Sequence, residues 1–436
     1  MSANTKGDTR ASKAKTSDGR SSNESQLDSN LGKSASSKRR NTSGQKSSNS
    51  KHRRRNNGFK GIQTRKDQFG NSRKAIYSAI DLGTNNCRLL IAKPTANGFR
   101  VIDAFSRIVR LGEGLESSGM LSEAAMDRTI DALKICAEKL ARRGVTTMHH
   151  VATEACRVAK NSDEFIKRVK QETGINIDVI SAADEARLAV MGCQSLISRG
   201  NRHALVFDIG GGSTELIWVS ISRNNKTEIK GWTSVPWGVV NLSEKYGTEA
   251  GDISAEDYRS MVNVVYDHIL AFEEAYKIRD IVKRSKVQFL GTSGTVTTLA
   301  SLHMNLARYD RSKVDGAWMQ ARDIRRLSNE VAAMTYAERS AQPCIGEERA
   351  DLVVAGCAII EAVLGMWPVN SLRVADRGIR EGILRNLMQR DQAPNPQWRQ
   401  NRNNANRSGD SSKDRSYRKK KHRKGSASSQ SETKHD

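Results

Sequence analysis

The sequence predicts an α/β protein of two similar mixed-sheet domains facing each other across a cleft, flanked by tails too polar to fold. Three observations carry this. An apolar strand that ends in Asp and turns at Gly occurs twice, as Ala75 to Asp81 with Gly83 and as His203 to Asp208 with Gly210-Gly211-Gly212. Aligned on that feature, Asp81-Leu82-Gly83 matches Asp208-Ile209-Gly210, and Leu89 matches Leu216 at the same offset. A repeat near half the core length indicates duplicated domains, because solenoid repeats are far shorter. Each copy continues as two more strands and then mixes helices with strands, the pattern of an α/β domain with a mixed sheet. Finally, apolar periodicity is confined to about residues 75–390.

Hydrophobic residues make up 37% of the 436, an average over unlike parts. Residues 1–74 and 391–436 are mostly polar or basic. So few apolar side chains cannot offset the entropy of ordering, and both tails are expected to be disordered. Of the formal charge of +24, about +14 falls in the first tail, about +7 in the second and about +3 in the core. Clusters such as Lys38-Arg39-Arg40, Arg53-Arg54-Arg55 and Arg418-Lys419-Lys420-Lys421 suit nonspecific contact with polyanions, RNA included, through counterion release. A solubilising role fits them equally. The six cysteines, Cys87, Cys136, Cys156, Cys193, Cys344 and Cys357, form no CxxC. That speaks against a disulfide framework or thiolate zinc site and fits a reducing cytoplasm. The N-terminus shows no apolar signal-peptide stretch. The most apolar segment, Ala350 to Trp367, is broken by Asp351 and Glu361 and reads as a buried helix, not a membrane span.

Within the core, Ala75–Asp81, Asn86–Ala92 and Phe99–Phe105 read as a meander with a turn at Asn97-Gly98. Ala125, Ile130, Leu133, Ala137 and Leu140 at helical spacing predict a helix over Ser122–Arg142. A strand Met148–Thr153, a helix Asn161–Glu172 with Asn161 and Glu164 spaced as a capping box, a strand Ile177–Ile180 and a helix Ala183–Leu196 complete the first domain, 75–200. The second, 201–375, opens with strands His203–Asp208, Thr214–Ser220 and Glu228–Val235. Helices near 254–276, 292–303, 321–335 and 347–366 follow, then a strand Ser371–Ala375 and a last helix, Arg380–Met388, within 376–390.

Glycine at such a bend lets main-chain N–H groups approach a phosphate closely. Three loops have this character: Asp81-Leu-Gly83-Thr-Asn-Asn86, Asp208-Ile-Gly210-Gly211-Gly212-Ser213-Thr214 and Gly291-Thr-Ser293-Gly294-Thr295. One alone is more readily a plain hairpin or helix entry. Three together, rich in hydroxyls and two opening with an acid, favour phosphate. The third precedes an apolar helical pattern from Val296, so a helix start there adds its dipole. A phosphate-rich ligand calls for a divalent cation, and Mg²⁺ takes one or two carboxylates plus water. Asp208 at its strand end and Glu215 in the next strand suit one such ion, a turn cap and a solvated strand residue being the plain alternatives. In Ala183-Asp184-Glu185-Ala186-Arg187-Leu188 the acids open a helix, which suits its dipole. If that helix start faces the cleft, Glu185 can take a proton from an attacking water, a contribution of ~10²–10⁴-fold. Arg157, after another strand end, suits either a planar fork on phosphate oxygens or a surface ion pair; residue type does not separate the two.

Together the motifs resemble the exopolyphosphatase / guanosine pentaphosphate phosphohydrolase (Ppx/GppA) family. They are Asp81 to Leu89 (DLGTNNCRL), Ala152 to Arg157 (ATEACR), Ser181 to Arg187 (SAADEAR), Asp208 to Glu215 (DIGGGSTE), Gly238 to Leu242 (GVVNL), Gly291 to Leu299 (GTSGTVTTL), Glu348 to Asp351 (ERAD) and Val374 to Gly382 (VADRGIREG). The resemblance covers nearly all of the core, in order, and omits the tails. It implies two actin-like, ribonuclease H-like domains around a cleft, as in actin, sugar kinases and chaperone ATPases, with the last helix returning to the first domain. It implies phosphoanhydride hydrolysis that depends on Mg²⁺ or another divalent cation. It makes Glu185 the catalytic base and Asp208 and Glu215 the metal carboxylates. Gly211, Gly212, Ser213 and Thr214 become a phosphate loop, with Asn86 and Arg88 on the opposing one, and Arg157 a phosphate-binding arginine. The core, ending near 390, resembles the short two-domain form, and a homodimer is expected.

Inorganic polyphosphate is the leading substrate and guanosine pentaphosphate the close alternative. An ATP-dependent kinase or ATPase would share the fold, but the resemblance puts a water-activating base at Glu185 and no second-substrate motif is evident. A non-catalytic polyphosphate- or RNA-binding module accounts for the basic tails. The aromatic content of 5%, with no aromatic-interleaved motif, speaks against specific RNA reading.

Overall fold

The structure, a computed structural model, describes residues 75–392 apart from Asn97 and 248–251. Both tails read as disordered, and the Asn97 half of the first hairpin turn, lie outside the described residues. The first lobe holds strands β1 (Tyr77–Leu82), β2 (Asn86–Thr95), β3 (Gly98–Ile108), β4 (Thr147–Ala152) and β5 (Asp178–Val179) in the order β3-β2-β1-β4-β5. The second holds β6 (His203–Ile209), β7 (Thr214–Ile221), β8 (Thr227–Val235), β9 (Val287–Thr292), β10 (Trp318–Gln320) and β11 (Ser371–Ala375), ordered β8-β7-β6-β9-β11-β10. In each, three antiparallel strands are extended by two parallel ones. This is the ribonuclease H-like unit twice over, the actin-like arrangement the motifs imply. The edge strand β10 has no counterpart in the first lobe, and three residues are too few to show period-2 alternation in the sequence.

The register carries the duplication to single residues. Asp81 pairs across its hairpin with Arg88, and Asp208 pairs with Glu215. Equivalent positions thus hold a cation in one lobe and an anion in the other.

The helix Glu123–Arg143 begins where Ser122 Oγ accepts the N–H of Ala125 and stops at Gly144, whose φ of 62° suits glycine. It buries Met126, Ile130, Leu133, Cys136 and Leu140, spaced at three to four residues, in one cluster with Leu89 and Ile91 of β2. Each such Met, Ile or Leu side chain contributes roughly 1.5–3 kcal/mol. The expected capping box at Asn161 does not form. Its side chain instead accepts the Leu121 N–H and donates to the Leu121 carbonyl, tying together two loops forty residues apart. The expected helix 347–366 is shorter, Val353–Met366, because 347–352 turn their polar side chains elsewhere: Arg349 toward the cleft and Asp351 toward Arg110. That helix is buried almost all round, and its one acid, Glu361, accepts the Tyr258 hydroxyl at 2.8 Å. Among the described residues no helix is long and apolar enough to cross a membrane.

The lobes exchange helices. The helix Ala182–Cys193 follows the first sheet in sequence, yet its Ala186, Ala189, Val190 and Cys193 cluster with Ala204, Val206, Ile217 and Leu290 of the second. The last helix, Ile379–Gln392, follows the second sheet, yet its Ile379, Ile383, Leu384 and Leu387 cluster with Tyr77, Ala79 and Leu90 of the first. The two helices cross in intimate contact. A Cβ on Gly192 would stand 2.0 Å from the Gly378 carbonyl oxygen, and one on Gly382 2.0 Å from that of Leu188. Only glycine fits at either position, so this crossing sets how close the lobes stand.

Candidate active site

The two Asp–Gly turns meet. A Cβ on Gly211 would stand 2.8 Å from Thr84 Cβ and 3.1 Å from the Asn85 nitrogen, and one on Gly212 would be 3.0 Å from Thr84 Oγ1. Glycine at 211 and 212 is therefore what lets the second turn close on the first.

Each turn is fixed from behind. In the first, the Asn85 carbonyl accepts the N–H groups of Val109 and Arg110, and the Thr84 carbonyl accepts that of Gly112. In the second, the helix Val239–Tyr246, which periodicity did not reveal, begins against the loop. Val239 and Val240 donate to the carbonyls of Gly210 and Gly211 at 3.0 and 2.7 Å, and Asn241 Nδ2 donates to that of Gly212 at 3.0 Å. The carbonyls are thereby occupied, whereas the amides of Gly211, Gly212 and Ser213 have no acceptor among the described residues. Such a row of free N–H groups is an anion cradle. Asn85 Oδ1, buried at the same place, likewise finds no partner among the described residues.

The cleft holds a cavity of about 130 Å³. It gathers Asp81, Gly83, Asn86 and Arg88 from the first turn, Asp208, Gly210, Gly211, Gly212, Ser213 and Glu215 from the second, Ser293 and Gly294 from the third loop, and Glu185 from the exchanged helix. Three residues singled out in the sequence stand elsewhere. Thr214 is buried and its hydroxyl donates to the Trp237 carbonyl at 2.7 Å. Gly291 lies inside β9, where a Cβ would meet the Phe207 ring at 2.6 Å. Arg157 does not line the cleft. Its guanidinium is held by Glu154 Oε2 at 2.5 and 2.9 Å, Glu185 Oε2 at 2.6 Å and the Ile180 carbonyl, so it positions carboxylates. Residue type had left ion pair and phosphate fork equally open; the geometry gives an ion pair, nearly buried. Conversely, Thr84, Asn85, Glu154, Thr298 and Arg349 line the cleft without having been singled out. Glu154 and Arg349 fall inside the ATEACR and ERAD motifs, which was the available signal.

The electrostatics are those of crowded, desolvated carboxylates. Burial, and then the charges of Glu185 and Asp81, push the Asp208 carboxyl up to about 8, Arg88 opposing. Burial and Asp208 push Glu215 up to about 7, although the hydroxyls of Ser213 and Ser234 donate to its Oε1 at 2.7 and 3.0 Å. Burial and Glu215 raise Glu185 to about 8 against the pull of Arg157. Burial also raises Asp81, with Arg88 opposing. Acids that repel one another in a buried site lose that penalty when a cation is placed among them. Among the described residues no group of three or more His, Cys, Asp or Glu side chains stands as a ready-made metal cage. A hexacoordinate Mg²⁺ needs only one or two carboxylates beside water and phosphate oxygens, so Asp208 and Glu215, with the unpartnered Asn85 oxygen nearby, fit it.

Residues 90–391 match the model of the Ppx/GppA phosphatase family. The chain is 30% identical to a solved exopolyphosphatase of Cytophaga hutchinsonii, covering 72% of this chain and 98% of that one with a TM-score of 0.65. It is 28% identical to the Aquifex aeolicus family member, covering 73% and 99% with a TM-score of 0.60. A guanosine-5'-triphosphate,3'-diphosphate pyrophosphatase of Aeromonas hydrophila is 28% identical over 314 residues, 72% of this chain and 59% of that relative, so the match spans well under two thirds of it. With its duplicated sheets, its facing glycine turns and this match over most of its core, the chain belongs to the Ppx/GppA phosphatase family.

Proposed function

We propose that the cleft hydrolyses the terminal phosphoanhydride bond of inorganic polyphosphate. The observation that carries the reading is the meeting of the two turns, with their free amides, beside a buried Glu185. The terminal phosphoryl group rests on the Gly211, Gly212 and Ser213 amides, with Arg88 opposite. A water attacks its phosphorus as the bond to the penultimate phosphate breaks. The proton of that water passes to Glu185, and the bridging oxygen leaves on the shortened chain. Asp208 and Glu215 would hold a divalent cation, which would supply neutralisation of the phosphate oxygens and of the leaving charge. Glu185 must be deprotonated to act, and at about 8 it is mostly protonated at neutral pH while the site holds no cation. Arg157 holds it in place and favours its charged form.

Polyphosphate is favoured over a nucleotide because, among the described residues, no Phe, Tyr or Trp lines the cleft to offer a ring on which a guanine could stack. Guanosine pentaphosphate is the second reading, supported by the name of the Aeromonas hydrophila relative. The test is phosphate release from long-chain polyphosphate, guanosine pentaphosphate and ATP, each with and without Mg²⁺. The expected outcome is Mg²⁺-dependent release with the highest kcat/KM on polyphosphate. Glu185→Gln is expected to lower kcat by ~10²–10⁴-fold while polymer binding persists. Undiminished turnover would show that another group takes the proton.

A further inference from the structure

Three strands of the second lobe have one end in the cleft and the other at a single basic surface. β6 ends beside Asp208 and begins just after Arg202. β9 ends before Ser293 and begins just after Lys286; β7 begins just after the cleft-lining Ser213 and finishes just before Ser222. The far ends are stitched together, since Arg202 N donates to the Lys286 carbonyl at 3.0 Å and Ile221 N to the Arg202 carbonyl at 2.9 Å. Three short segments therefore share one surface. Arg199 and Arg202 come from the first, Arg223 and Lys226 from the β7–β8 turn, and Lys283, Arg284 and Lys286 from the run into β9. All are exposed, and 199–202, 222–226 and 283–286 contain no Asp or Glu. None of the seven pairs with a carboxylate among the described residues, although basic side chains elsewhere on this core commonly do. The core as a whole carries a surplus of only about +3, so this one end outweighs it and the remainder is net acidic. Arg199 and Arg223 border a recess together with Asn201, Asn224 and Asn225, whose amides add neutral donors.

We infer that this surface is an exosite for the distal part of a polyphosphate chain whose terminus occupies the cleft. This rests on the polyphosphate reading given above. Unpaired guanidinium and ammonium groups gathered at one end of the second lobe bind a polyanion by counterion release. Guanidinium and amide donors without an aromatic ring match bare phosphate oxygens; the recess offers no platform for stacking a base, as single-stranded RNA requires. Six residue steps along β6 separate Arg202 from Asp208, a span of roughly 20 Å at ~3.3 Å per residue. A long chain bridges that span and a three-phosphate one does not, so the exosite makes the enzyme favour long polymers.

The test is the full chain carrying Arg199→Glu, Arg202→Glu and Arg223→Glu together, three exposed side chains that make no hydrogen bond of their own among the described residues. KM for long-chain polyphosphate is expected to rise by about tenfold at low salt, and less as salt rises. Both kcat and KM for tripolyphosphate are expected to stay unchanged, which also shows that the variant folds. An unchanged KM for the long chain, or an equal rise for both substrates, overturns the exosite. A larger loss of binding to single-stranded RNA than to polyphosphate assigns the surface to RNA and also overturns it. If no phosphoanhydride is hydrolysed, the catalytic reading fails by itself; equilibrium binding of labelled long-chain polyphosphate to the two proteins then decides the exosite separately.

Discussion

The two Asp–Gly turns share a backbone plan and a register, yet they present opposite charges to the same cleft. Across the hairpin from Asp81 stands Arg88; across from Asp208 stands Glu215. Burial raises both aspartates and Arg88 opposes the rise at both, but at Asp208 the charges of Glu185 and Asp81 outweigh it and the carboxyl reaches about 8. The lesson is that a duplicated turn can be divided in labour by one strand position. On the function proposed above, the arginine serves phosphate oxygens at the first turn and the glutamate a cation at the second.

Substitutions that erase the difference sharpen or break this comparison. The largest effect is expected of Asp208→Asn, which removes one of the two carboxylates proposed to hold the cation. Phosphate release should fall by ~10²–10³-fold, on the scale of losing one electrostatic stabiliser, and what remains should no longer respond to added Mg²⁺. Steady-state assays across a Mg²⁺ series read this out. Arg88→Ala should act differently, raising KM for polyphosphate by about tenfold or more through the loss of charge-assisted hydrogen bonds of ~1.5–3 kcal/mol, with Mg²⁺ dependence intact. If both variants lose Mg²⁺ dependence alike, the division of labour is wrong.

The smallest expected effect is on stability against pH. Asp208, Glu215 and Glu185 have folded-state pKa values raised from the ordinary carboxylate range to about 7–8. Between that ordinary range and about 8 the folded protein holds protons that the unfolded chain has released. Stability therefore falls as pH rises through this window. In the absence of divalent cations the unfolding midpoint should drop by a few degrees, on the order expected for one to two kcal/mol, between pH 5.5 and 8.5. Asp208→Asn should flatten that slope. A slope unchanged in this variant would mean that Asp208 is not among the groups that titrate there.

Much of this was legible beforehand, and the misses have physical causes. The duplication showed because a strand ending in Asp-x-Gly is a local pattern and occurs twice. The cleft residues of both turns followed from it. Thr214 was misplaced although alternation could have corrected it: neighbours on a strand face opposite ways, so a hydroxyl beside the cleft-facing Glu215 points away, to Trp237. Gly291 looked like a turn glycine but serves packing against Phe207, a contact between strands that linear spacing does not reveal. Arg157 was undecidable because its two roles differ only in what lies within 3 Å. The helix exchange at Gly192 and Gly382 was hidden for the same reason: each glycine is explained only by a backbone almost two hundred residues away.

The division of labour is tested most directly by following the unfolding midpoint of the wild-type protein, Asp208→Asn and Asp81→Asn as Mg²⁺ is titrated at pH 8. Mg²⁺ should stabilise the wild type and Asp81→Asn in parallel and leave Asp208→Asn unmoved. Equal stabilisation of Asp208→Asn and the wild type would contradict it.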